Sequence, residues 1–216
     1  LSALARQTWS PDVGLDWQPE VLQLLDEHHL VACSERMRLR LDFGASLGRF
    51  LAAQGDTEVC HLQGRHIRCL DSLCDQFERQ LPGPPLQRRI DGPAGLTALL
   101  RMREPSGPSR PSRWRFYVWH DAETLLRSDR VLFGRVVEAL AGVAAESEYA
   151  SDDLLLIQRC VLLGGDALSR YARDAHGQCR SWIRDDFDEP FWRVVTGVEA
   201  PRFKRLSIDA LSRYLG

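Results

Sequence analysis

The stretch Arg113-Trp-Arg-Phe-Tyr-Val-Trp-His-Asp121 constrains this chain more than any other. Aromatic and β-branched side chains fit the pleated surface of a sheet, so the run predicts a buried strand. That strand delivers His120 and Asp121 to the carboxyl edge, where open α/β folds keep their sites. A second apolar run, residues 154–163, follows one helix later and closes on Gly164-Gly165. A strand ending on an acid, a helix, then a strand covered on both faces is the rhythm of an α/β fold with a largely parallel sheet.

Periodicity and breakers supply the remaining elements. Residues 19–28 predict a helix, with Pro19 in its first turn and Val21, Leu22, Leu24 and Leu25 on one face. Met37-Arg-Leu-Arg-Leu-Asp42 alternates apolar and charged residues, which predicts a strand with one exposed face; Gly44 breaks it, and residues 46–53 resume as a short helix. Residues 58–62 predict a second strand before the turn Gln63-Gly64. Residues 70–81 have helical spacing, with Leu70, Leu73, Cys74, Phe77 and Leu81 on one side. Gly92-Pro93 opens another helix, residues 131–148 form a long one, and Asp166 caps a shorter one. Residues 191–196 form a short apolar element, and 202–208 alternate as a last strand. The expected fold is a three-layer α/β domain over residues 35–216, with a mostly parallel five-stranded sheet and helices on both faces. An N-terminal arm and helix occupy residues 1–34.

Composition narrows the function classes. A net charge of −2 gives no global reason to bind nucleic acid or an anionic membrane. No apolar run approaches the roughly 20 residues that span a bilayer, and the first residues lack a basic-then-apolar signal pattern, so the expected location is cytoplasmic. The six cysteines are scattered and several lie among apolar neighbours, as reduced core thiols do. Cys60, His61, His66, Cys69 and Cys74 crowd together without the paired spacing of a zinc site, so no metal is expected.

The order of elements resembles the core of the P-loop NTPases, particularly the AAA+ and STAND-type ATPases. In that family a first strand runs into a phosphate loop and helix, a third strand ends in the Walker B acid, and a fourth carries a polar sensor. The resemblance makes residues 37–42 the first strand, Phe43-Gly-Ala-Ser-Leu-Gly-Arg-Phe50 the phosphate-loop position and residues 58–62 the second strand. It makes residues 116–119 with Asp121 the third strand and residues 154–163, with Gln158 as sensor, the fourth. It implies nucleotide contacts by Gly44, Gly48, Arg49, Asp121 and Gln158. The departures are chemical. A working G-x-x-x-x-G-K-[ST] loop wraps phosphates with backbone N–H groups, and its lysine and hydroxyl reach phosphate and Mg²⁺. Aligned on Gly48, this chain has Phe43 for the first glycine, Arg49 for the lysine and Phe50 for the hydroxyl, and its single lysine is the distant Lys204. Arginine still pairs with phosphate; phenylalanine holds no metal.

Two further features point to partners. Arg101, Arg103, Arg110, Arg113 and Arg115 surround the Pro/Ser-rich loop at residues 104–112, with Glu104 alone opposing them. They form either a docking patch for an acidic protein surface or phosphate backbone, or a solvated loop. Residues 59–73 locally resemble the opening strand and helix of barstar-type inhibitor proteins. Asp121 carries two readings, a Walker B-like carboxylate or a cap for the helix after it, and a buried Arg159 would need an acid such as Asp121.

The expectation is a non-catalytic regulatory or scaffolding protein with a degenerate ATPase-like fold, acting through protein–protein contact and needing no cofactor. Self-association stays open, nucleic acid is not indicated, and no membrane is involved. The alternatives are a nucleotide-binding or weakly active ATPase that uses Arg49 and Asp121 on ATP or another nucleotide, and a small barstar-like binding protein.

Overall fold

The aromatic run folds as expected into a strand, β3 (Trp114–His120), buried along its whole length. In the computed structural model the described residues are 21, 22, 25, 29–34, 36–55, 57–81, 92–102, 114–148, 156–171 and 192–196; for 39, 92–94, 101–102, 141–148 and 192–196 only the backbone is described. On one side β3 pairs with β2 (Thr57–Gln63), and on the other with β4 (Ile157–Gly164), which pairs in turn with β1 (His29–Cys33). All three pairings are parallel, giving a four-stranded sheet in the order β2-β3-β4-β1. Each parallel step demands a helical crossover, and the chain supplies one each time.

The period-2 alternation along β3 sorts its side chains into two cores. Trp114, Phe116 and Val118 join Leu30, Ala32, Val161 and Leu163 on one face, under Phe43, Leu47 and Leu51 of α1 (Met37–Ala52). Tyr117 and Trp119 point to the other face with Cys60, Leu62, Cys160 and Leu162. There they are covered by α2 (Leu70–Gln80), α3 (Gly92–Met102), α4 (Ala122–Ser128), α5 (Arg130–Glu148) and α6 (Asp166–Tyr171). The fold is α/β with helices on both faces of a parallel sheet. Among the described residues no helix is long and apolar enough to cross a membrane.

Two expectations are corrected. Residues 37–42 are not a strand, and residues 43–50 are not a phosphate loop: both lie inside the 16-residue helix α1, whose second half is the helix expected from residue 46. Their six-residue alternation competes with a longer signal, the i, i+4, i+8 spacing of Phe43, Leu47 and Leu51, which are 0–2% exposed. The longer period buries more apolar surface and prevails. The first strand is instead His29–Cys33, inside the sheet beside β4, so the expected boundary after residue 34 cuts through the fold. The last expected strand, residues 202–208, lies outside the described residues.

Cys33, Cys60, Cys74 and Cys160 are buried, as core thiols are, and Cys69 is exposed. Burial pushes the Cys60 thiol up to about 12, with Arg115 pulling the other way and Glu58 adding to the rise.

Candidate functional site

The chain turns sharply at the end of β3. Asp121 adopts a left-handed conformation, φ 48° and ψ 41°, the only such residue other than glycine among those described. Aspartate tolerates this region better than most residues, and residues held there cluster at functional sites. The Asp121 side chain does not cap α4, contrary to one expectation; the helix start is closed by the Asp121 carbonyl, which accepts the Thr124 N–H at 2.9 Å. Its carboxylate instead faces an arginine that sequence reasoning did not single out.

That arginine is Arg40, from the first turn of α1. Its Nη2 lies 3.7 Å from Asp121 Oδ1 and 3.3 Å from Glu123 Oε1, and its Nη1 donates to the Ser34 carbonyl at 2.6 Å. All three charged side chains are nearly sealed from water, at 9%, 8% and 10% exposure. The end of β4 closes in as well: a Cβ on Gly165 would meet both Glu123 carboxylate oxygens at 2.9 Å. Ser34 follows β1, Asp121 follows β3 and Gly165 follows β4. The cluster therefore occupies the carboxyl edge where β1 continues to a helix on one face and β3 and β4 to helices on the other, the switch-point position at which open α/β sheets bind ligands.

Beside it two histidines meet. His61 of β2 and His120 of β3 share one face of the sheet, with Nδ1 of the first 3.0 Å from Nε2 of the second and rings stacked at 5.2 Å. One ring nitrogen donates and the other accepts, so the pair is satisfied when both rings are neutral. Burial pushes His120 down to about 4, helped by His61 and Arg65 and opposed by Asp121; burial also lowers His61. A pKa held below the ordinary 6.5 means that the unfolded chain takes up the proton first as pH falls. The stability held by His120 is therefore complete above about pH 6.5 and drains away toward pH 4, by roughly 3 kcal/mol. Urea midpoints at pH 7 and pH 4.5 check this, with a shallower acid limb expected in His120→Asn.

The expected site residues do not assemble. Gly44 and Gly48 lie on the inner face of α1, where a Cβ would come within 2.6 Å of His120 Cε1 and 2.4 Å of His61 Cε1 respectively. They are contact glycines, not phosphate-loop glycines. Arg49 is exposed on the outer face and donates to Ser46 Oγ at 3.2 Å. Gln158 accepts the Tyr117 hydroxyl at 2.6 Å and pairs in register with Arg115, six residues short of the end of β4 and so about 20 Å from the carboxyl edge. Of the five, Asp121 alone stands at the edge.

Arg159 does not pair with Asp121 either: it donates to the Leu25 carbonyl at 2.9 Å and lies in register with Phe116, near the opposite end of the strand. Of the expected arginine patch, Arg115 is buried within β3 and bonded to Glu58 Oε2 at 2.7 Å, so it belongs to the interior. Arg101 lies in the last turn of α3, where the backbone alone is described, and Arg103, Arg110 and Arg113 fall outside the described residues.

A nucleotide and Mg²⁺, which the P-loop resemblance implies, do not fit these residues. A phosphate loop needs a glycine-containing span of some eight residues between first strand and helix. Here Ser34-Glu-Arg36 makes the whole connection, without glycine, lysine or a spare hydroxyl. Ser34 Oγ accepts the Arg36 N–H at 3.2 Å, and its carbonyl is taken by Arg40. The two carboxylates at the edge already hold a cation, the guanidinium. No protein family, characterised protein or solved structure gives a match to this chain.

Proposed function

We propose that this chain is a non-catalytic regulatory or scaffolding domain on a degenerate P-loop NTPase-like frame, acting through contact with other proteins. The observation that carries the reading is Arg40. In a working member of that class, the first-strand loop and the third-strand acid must converge on phosphate and Mg²⁺. Here the ends of β1 and β3 converge on a guanidinium that belongs to the chain itself. The frame is supported by residues Trp192–Thr196 (β5), whose backbone runs parallel to β1 with His29 opposite Trp192 and Cys33 opposite Thr196. This extends the sheet to β2-β3-β4-β1-β5 and leaves β1 and β3 separated by β4.

An internal arginine does for the fold what a bound cation does for an enzyme, neutralising two buried carboxylates, but it brings no exchangeable coordination site. Such a domain keeps the shape of its class and loses turnover, which leaves its surfaces as the means of action. Calorimetric titration with ATP, ADP and GTP, with and without Mg²⁺, tests the reading. The expected result is no saturable heat at millimolar nucleotide. Saturable binding that disappears in Arg49→Ala would replace it with the nucleotide-binding alternative.

A further inference from the structure

We draw no further inference here: the strongest candidate, the pair of His61 and His120 beside the carboxyl-edge cluster, whose ring nitrogens face each other at 3.0 Å, offers a cation two ligands that already satisfy one another and, among the described residues, no third His, Cys, Asp or Glu with which to hold it.

Discussion

Arg40→Ala should be the most destabilising single substitution at the carboxyl edge, lowering unfolding free energy by about 3–5 kcal/mol. Removing the guanidinium leaves Asp121 and Glu123, both within 3.7 Å of the same nitrogen in the native protein, facing each other with little access to water. Burying like charges without a counter-ion is among the largest penalties a point mutation can impose. It also strips the Ser34 carbonyl of the donor at 2.6 Å. Arg127 lies 3.6 Å from Glu123 Oε2 but is 65% exposed and does not replace a buried cation. Replacing all three charges, as Arg40→Met with Asp121→Asn and Glu123→Gln, should recover much of the loss, because an apolar and neutral set of similar volume often equals a buried ion pair. Asparagine is the substitution of choice at 121, since it also tolerates φ 48°. Urea unfolding at pH 7 reads the single and triple variants on one scale.

Gly44→Ala and Gly48→Ala should each destabilise by about 1–2 kcal/mol, against the usual trend. Alanine in a helix interior is ordinarily favoured over glycine by up to about 1 kcal/mol. Here the added methyl of the first would sit 2.6 Å from both His120 Cε1 and Leu163 Cδ1, and that of the second 2.4 Å from His61 Cε1. Those atoms belong to rings and branched chains locked between helix and sheet, so α1 must lift or the histidine pair must separate. Gly55→Ala, with nothing within 4 Å of its added methyl, is the control and should change stability by less than about 0.5 kcal/mol. Thermal melts of the three variants, with histidine ring resonances to follow the pair, check the ranking.

The glycines also show what the sequence could and could not disclose. β2, β3, β4, α2 and α5 were legible because each has one dominant period, and the acid at 121 was placed at the strand end by the length of the aromatic run. The first half of α1 was not, because Met37 to Asp42 satisfies a strand pattern locally, Gly44 looks like a breaker and Gly48 like a phosphate-loop glycine. Their purpose is close approach to His120 and His61, a tertiary fact. β1 was missed because His29-Leu-Val-Ala-Cys33 is short and follows an apolar helix pattern with no glycine or proline between them. Arg40 could not be singled out from neighbouring arginines, since Glu123, one of its partners, lies 83 residues away and the meeting depends on which strands are neighbours. Nor did Arg115 differ in sequence from the loop arginines beside it. Only its place in β3, in register with Glu58, marks it as buried.

We propose that Arg40 stands at the end of β3 where a P-loop-like frame would hold a metal ion. Titration of the wild-type protein with Mn²⁺, followed by electron paramagnetic resonance in the presence and absence of ATP, tests it most directly. The free Mn²⁺ signal should stay undiminished by equimolar protein in both cases, because Asp121 and Glu123 are already paired. Stoichiometric uptake of Mn²⁺ that Asp121→Asn abolishes would show a working metal site and contradict the account.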